Sequence, residues 1–281
     1  MGTALLSVNT NVGAMSALQS LSAISAEMAQ VQSRISTGLA VASPKDNPAV
    51  WAIAQNQRAQ SQALNAVQAS LQRGQSIAGV AISAGETISD LISQMKTLAV
   101  QALDYPPGDP SRQALNDNYV ALRKQIDTTA GTADFGGVNL IAGGGATAQV
   151  RALANADATD TIDIAHIDLS TGGAALAGIP ADLTGALSST DIDNLNKGVG
   201  AVNAAVSRLG TGSKALDTHL TFIGKLQDTI DAGVGRLVDA DLAKESARLQ
   251  ALQVRMQLAM IALRIANDAP SMLLQLFRSS G

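Results

Sequence analysis

Both ends of the chain carry one hydrophobic pattern. From Leu5 the apolar residues fall at Leu5, Val8, Val12, Met15, Leu18, Leu21, Ile24, Met28, Val31, Ile35 and Leu39. From Leu242 they fall at Leu242, Leu249, Leu252, Met256, Ala259, Leu263, Ala266, Leu273 and Phe277. Every step along each run is three or four residues, or a doubled step of seven, which predicts a continuous apolar stripe on one side of a helix. A mean step near 3.5 is that of a coiled-coil seam. A thin helix cannot bury such a stripe alone. Both termini therefore need partners, as expected of an assembly subunit rather than a self-contained enzyme.

The breaks between the stripes predict the remaining elements. A first helix runs from about residue 5 to Leu39. Ser43-Pro44-Lys45-Asp46-Asn47-Pro48 ends it, with Asn47 a good N-cap and Pro48 suited to the first position of a second helix. That helix runs to about Leu103, with a late stripe at Ile88, Leu91, Met95, Leu98 and Ala102, and with Gly74, Gly79 and Gly85 weakening its centre. Tyr105-Pro106-Pro107-Gly108 stops it, and Asp109-Pro110 opens a third helix to about Thr129.

From 131 to 187 glycines and short polar residues dominate. Thr161 to Leu169 alternates like a half-buried strand, with a slip in phase between Ile164 and Ile167 that suggests a bulge, and Gln149 to Ala154 is its candidate partner. Ser188-Ser189-Thr190-Asp191 reads as a capping box opening a long stripe from Ile192 to Leu237, with a break expected near Gly233 and Gly235. The fold expected is mainly α: a long antiparallel helical hairpin or coiled-coil rod with a small β-containing tip. The chain folds back so that its two ends lie side by side.

Composition supports thin helical packing. The chain has 281 residues and is 46% apolar, yet only 2% aromatic. Wide globular cores lean on aromatics, whereas helical seams of Ala, Leu, Ile and Val do not need them. Charged residues make up 15%, little for a free surface. A net charge of -4 and the lack of a basic cluster argue against nucleic acid. The chain has no cysteine, which excludes disulfides and thiolate zinc sites. The first charge is Glu27 and the first positive residue Arg34, so no Sec-type signal peptide is predicted; no apolar run long enough to span a membrane occurs.

The candidate chemistry is sparse. His166 and His219 are the only histidines and match no metal-ligand pattern. Gly143-Gly144-Gly145 lacks the context of a phosphate cradle. Asp239 and Asp241 face different sides of a helix and suit a helix N-terminus better than an acid–base pair. No nucleophile–base set can be assembled, and no cofactor or metal is expected.

A family resemblance emerges from segments in a fixed order: Val8-Asn9-Thr10-Asn11, Ser33-Arg34-Ile35-Ser36-Thr37-Gly38, Lys45-Asp46, Trp51-Ala52-Ile53-Ala54, Leu98-Ala99-Val100-Gln101-Ala102 and Phe135-Gly136-Gly137-Val138-Asn139-Leu140. They are followed by Asp239 to Glu245, Ile265-Ala266-Asn267-Asp268-Ala269-Pro270 and Leu273-Leu274-Gln275-Leu276-Phe277. Together they resemble the terminal signatures of bacterial flagellins, and they leave out little beyond residues 141 to 190.

The resemblance implies a compact flagellin, a filament subunit for swimming motility, without large outer domains. Residues 1–43 and 237–281 would form the inner filament core and 44–236 an outer-core helical domain with the β region at about 131–187. The polymerisation interface would comprise Leu5, Val8, Val12, Met15, Leu18, Leu21, Ile24, Met28, Val31, Ile35, Leu249, Leu252, Met256, Met260, Leu263, Leu273 and Phe277.

The implied partners are further copies of the chain, an export chaperone and the type III export apparatus, and the filament cap and hook-junction proteins, with neither nucleic acid nor membrane insertion. The implied location is the extracellular flagellum, reached without a cleaved signal peptide. Some flagellins present an Arg and a Glu to a vertebrate innate receptor; the matching positions here are Gln94 and Asn118, with Leu98 kept, which implies weak recognition. The run Met256-Gln257-Leu258-Ala259-Met260-Ile261 is more apolar than is usual in the family. The alternatives are a hook–filament junction protein of the same superfamily or, in a different class, a membrane-active amphipathic protein. The latter would want Lys and Arg on its polar faces, and none occurs before Arg34.

Overall fold

A computed structural model describes residues 10–143 and 149–278, with side chains described up to Asp268. The helices are α1 (Val12–Thr37), α2 (Pro48–Ala102), α3 (Pro110–Thr132), α4 (Ser189–Val238) and α5 (Leu242–Arg278). Two antiparallel hairpins lie between α3 and α4: β1 (Asp134–Phe135) with β2 (Val138–Asn139), and β3 (Val150–Leu153) with β4 (Thr161–Ile164). The protein is thus mainly α with a small β region. The chain divides into two compact units, one of residues 1–59 and 230–281, the other of residues 60–229.

In the first unit α1 packs along α5. The pair is antiparallel: Asn11 meets Ala266 near one end, and Arg34 meets Glu245 near the other. The first and last helices are therefore side by side, as expected of a chain that folds back. Helix α1 is closed by Gly38 in the left-handed conformation (φ 72°), whose N–H donates to the Arg34 carbonyl. Leu39 then forms an isolated antiparallel bridge with Asp239. The Ala40 N–H donates to the Val238 carbonyl at 2.7 Å and the Ala240 N–H to the Gly38 carbonyl at 2.8 Å. Beside this bridge Ala54, Val234 and Val238 form a small core, joined by Leu39, Val41, Val50 and Ile230.

The α4–α5 break differs from expectation. Gly233 and Gly235 lie inside α4, which continues to Val238, and the break falls at Asp239–Asp241. A Cβ at position 235 would sit 2.7 Å from the Asp239 carboxylate, so Gly235 makes room for the turn rather than being the turn. Asp241 then caps α5, accepting from the Ala243 and Lys244 N–H groups. Helix α1 also starts later than expected, at Val12, with Asn11 as its N-cap; positions 5 and 8 lie outside the described residues.

In the second unit one buried line of α2 alternates in threes and fours, Leu64, Val67, Leu71, Gly74, Ala78, Ala81, Gly85, Ile88, Ile92, Met95, Ala99 and Ala102, with Ser61, Ile77 and Leu91 buried beside it. Those of α4 repeat every seven residues at Leu195, Val202, Leu209, Leu216 and Ile223. This is knobs-into-holes spacing on both elements. Gln68 bonds Gln227, Gln75 bonds Asp217 and Ser89 bonds Asn203 across the antiparallel pair.

Gly74 and Gly85, expected to weaken α2, occupy seam positions. A Cβ would come within 3.1 Å of Leu216 Cδ1 at Gly74 and within 2.6 Å of Val206 Cγ2 at Gly85. Their missing side chains let α4 approach.

The β1–β2 turn is Gly136-Gly137, both at positive φ, as a two-residue hairpin loop requires. Strand β4 is shorter than the alternation suggests. It ends at Ile164, paired with Val150, and no bulge forms. The Ile167 and Leu169 N–H groups instead donate to the carbonyls of Leu140 and Ile141, so the slip in phase marks the chain leaving the hairpin.

Candidate assembly surface

The α1–α5 pair uses only part of the predicted stripe. On α1 the covered or half-covered positions are Ala14, Ala17, Leu21, Ile24, Met28, Val31 and Ile35. On α5 they are Glu245, Leu249, Leu252, Met256, Ala259, Leu263 and Ala266, steps of four and three throughout. Thus Leu21, Ile24, Met28, Val31 and Ile35, with Leu249, Leu252, Met256 and Leu263, form the seam inside one chain.

Val12, Met15 and Leu18 do not join it. They are 68%, 63% and 57% exposed. The cause is the spacing. Val12, Met15, Leu18, Leu21 and Ile24 are separated by successive threes, and each step of three falls about 60° short of a full turn at 3.6 residues per turn. The run spirals away from α5, and Ala14 and Ala17 take the seam positions. An open apolar trough follows α1 over Val12, Met15, Leu18 and Leu21. Met260 is also open, at 47%. Of Leu273 and Phe277 only the helical backbone is described, and Leu5 and Val8 lie outside the described residues.

A second stripe on α5 escaped the reading by single periodicity. Val254, Leu258, Ile261 and Ile265 are 56%, 60%, 54% and 66% exposed. Their steps are four, three and four, the same heptad spacing displaced by two positions from Leu252 and Met256, hence on nearly the opposite side of the helix. The apolar run from Met256 to Ile261 was its signal. Helix α5 therefore has two seams, and one is uncovered among the described residues.

The buried or half-buried polar contacts of the pair lie toward its ends. Asn11 Nδ2 donates to the Ala266 carbonyl at 2.6 Å. Arg34 Nη1 meets Glu245 Oε1 at 3.2 Å, with the side chains 24% and 12% exposed. Arg34 Nε and Glu245 Oε2 are buried and have no hydrogen-bond partner. Arg248 and Glu27 pair at 3.7 Å on the surface, where solvent screening leaves little energy.

Residues in the second unit that sequence reasoning did not single out clamp the loop from Leu169 to Gly185. Arg112 is buried and donates to the carbonyls of Leu183 (2.7 Å), Tyr105 (3.0 Å) and Gly185. Tyr119 donates to the Pro180 carbonyl, and burial pushes its phenol well above its ordinary value. Asn116 accepts from the Leu183 N–H, and Asp127 from the N–H and hydroxyl of Thr171. Partners so far apart in sequence leave no periodic signal.

Gln94 is exposed and Leu98 half-buried on α2; Asn118 is exposed on α3. His166 Nε2 bonds the Ala142 carbonyl and His219 Nε2 the Ala154 carbonyl. Among the described residues no group of three or more His, Cys, Asp or Glu side chains could hold a metal, and no helix is long and apolar enough to cross a membrane.

These features meet known proteins at the level of whole chains. Residues 8–146 match the family model of the bacterial flagellin N-terminal helical region, and residues 192–277 that of the C-terminal helical region. The chain is similar to flagellin FljM of Caulobacter vibrioides, with 47% identity over 98% of this chain and 100% of that protein. A flagellin of Brucella melitensis is 33% identical over 98% of this chain and 100% of its own length. Among solved structures, Bacillus cereus flagellin aligns with a TM-score of 0.47 and 25% identity, covering 55% of this chain and 88% of that one. With both terminal regions matched and full-length relatives at this identity, the chain belongs to the bacterial flagellin family, the structural subunits of the flagellar filament.

Proposed function

We propose that this flagellin polymerises through the apolar faces left open on α1 and α5, with further copies of the same chain as their occupants. The observation that carries this reading is the second heptad stripe, Val254, Leu258, Ile261 and Ile265, exposed on a helix whose other seam is already filled. A helix with two seams is satisfied only when a second helix packs on it. Val12, Met15, Leu18 and Met260 extend the open surface. The interface includes the inward-facing stripe residues indirectly, since they hold α1 and α5 in one relative position. Residues 1–43 and 237–281 would line the filament core, and 44–236 would lie outside it.

Ordering is coupled to assembly in this reading. The open faces offset the conformational entropy of the helices only when neighbours cover them. Electron microscopy of salt-induced polymer from pure protein, with limited proteolysis before and after, tests it. Long filaments, with the first ~40 and last ~40 residues protected only in the polymer, are expected. Equal cleavage in both states, or no polymer, would sink it.

The subunit would reach the extracellular flagellum through the type III export apparatus with an export chaperone, without a cleaved signal peptide. It would meet the filament cap and hook-junction proteins at the filament ends. With uncharged Gln94 and Asn118 at the matching positions and Leu98 kept, it would be a poor agonist of the vertebrate innate receptor; strong signalling by pure protein at low dose would contradict this.

A further inference from the structure

We propose that Asn11 and the Arg34–Glu245 pair act as register pins at the two ends of the α1–α5 seam. They fix which turn of α5 each turn of α1 meets. Between them the seam is Ala14, Ala17, Leu21, Ile24, Met28 and Val31 against apolar residues of α5 at the same heptad spacing. Sliding one helix by seven residues exchanges apolar for apolar, so the seam itself discriminates weakly between registers. A polar group at a seam position discriminates strongly, because a slide strands it without a partner.

Both pins have that character. The Asn11 side chain accepts from the Ala14 N–H at 2.9 Å, starting α1, and in the same position donates to the Ala266 carbonyl at 2.6 Å. Pro270 has no N–H to give the Ala266 carbonyl within α5, whereas the Ala259 carbonyl one heptad earlier has the Leu263 N–H, so the Asn11 donor ties the start of α1 to that one turn of α5. At the opposite end, Arg34 and Glu245 each keep one buried polar atom unpartnered. A pair so incompletely satisfied contributes little net stability, and register is the attested use of such pairs. The Leu39–Asp239 bridge holds only the base of the pair. Asn11 lies 23 residues from Arg34, about 35 Å along the helix at 1.5 Å per residue.

The consequence for assembly rests on the function proposed above. Register decides where Val12, Met15 and Leu18 stand relative to Leu258, Ile261 and Ile265, and so whether neighbouring subunits meet one surface or several.

The chain has no cysteine, so disulfide trapping reads register directly. A Cβ at Gly13 would lie 3.7 Å from the Ala266 Cβ, within disulfide range, and 3.5 Å from Asn11 Oδ1, an ordinary van der Waals contact. Gly13→Cys with Ala266→Cys reports the native register; Gly13→Cys with Ala259→Cys reports a slide of one heptad. The full-length chain carries these pairs together with Asn11→Asp, which keeps the cap and removes the donor, with Asn11→Ser, which keeps the cap without added charge, or with Arg34→Leu/Glu245→Leu. The intramolecular disulfide is measured by non-reducing electrophoresis in sedimented and soluble fractions alike, so loss of assembly and loss of register are separate outcomes.

Native-register cross-linking should fall about threefold in either Asn11 variant, the change one net hydrogen bond carries. It should fall further when Arg34→Leu/Glu245→Leu is added, with the one-heptad product appearing. Unchanged yields in all variants would mean that the backbone bridge and the seam suffice, which overturns the proposal. A drop with Asn11→Asp but not Asn11→Ser would assign the effect to charge and equally overturn the role of Asn11.

Discussion

Replacing Leu258 and Ile261 together by glutamine tests whether the second seam drives polymerisation. The two side chains are 60% and 54% exposed in the single chain. Fully burying a leucine or isoleucine contributes about 2 kcal/mol, so covering the open portion of both yields about 2 kcal/mol per subunit. At 1.4 kcal/mol per factor of ten, losing that term raises the critical concentration for polymerisation about thirtyfold. The glutamines keep helix propensity nearly constant and leave the α1-facing seam intact. Helicity and thermal unfolding of the monomer should therefore stay close to those of the parent. The assay is the concentration of subunit left in the supernatant after salt-induced polymer is sedimented. A critical concentration within about twofold of the parent would refute the assignment of this stripe to the subunit interface.

Three further outcomes follow from the second unit and the caps. Arg112→Met removes the donor to the carbonyls of Leu183, Tyr105 and Gly185. It should cost about 3 kcal/mol in thermal unfolding and speed amide exchange in the loop from Leu169 to Gly185. Gly85→Ala puts a Cβ 2.6 Å from Val206 Cγ2 and should lower Tm, since overpacking at about 1–3 kcal/mol outweighs the ~1 kcal/mol gained in helix propensity. Gly79→Ala, with nothing within 4 Å of its Cβ, should raise Tm.

The carboxyls of Asp46 and Asp182 are held below their ordinary value of 3.8, the first chiefly by the Ser43 N–H and the second chiefly by the Thr184 hydroxyl. With folded values depressed, their contribution is present above pH 3.8 and is lost as pH falls through the folded values. Asp46→Asn and Asp182→Asn should each flatten the acid limb of Tm against pH.

The elements most readable in the sequence were those whose signals are local. Asn47-Pro48 and Asp109-Pro110 place the starts of α2 and α3 because the cap and the fixed φ act within one turn. The Asp191 carboxylate accepts from the Ser188 N–H, which is half of the predicted capping box; the Ser188 hydroxyl donates to the same carboxylate instead of accepting from the Asp191 N–H. The glycines of α2 misled, because propensity speaks of an isolated helix and Gly74 and Gly85 answer to α4. The clamp of Arg112, Tyr119 and Asp127 was invisible for a related reason, since each bonds to chain more than forty residues away. The terminal stripes were legible as amphipathic, but a list of threes and fours does not say which positions share a face. Four successive threes in α1 turned Val12 away from α5, and two interleaved heptads in α5 looked like one broad apolar run.

The placement of charge bears on why α5 needs two seams. In α1 the residues from Val12 to Ala26 include no charged side chain, and in α5 Arg264 is the only one between Arg255 and Asp268. The ion pairs Arg34–Glu245 and Glu27–Arg248 lie toward the end of the pair beside the Leu39–Asp239 bridge. The exposed Val12, Met15, Leu18, Leu258, Ile261 and Ile265 lie toward the other, where Asn11 meets Ala266. A helix pair left in water would need charge where its apolar surface is widest, since contiguous open apolar patches promote association. Here the two are separated along the pair, so the end poorest in charge is also the most open. In the proposed assembly that arrangement favours association through the open faces of α1 and α5, while the bridge and its flanking ion pairs keep the base of the pair defined within each chain.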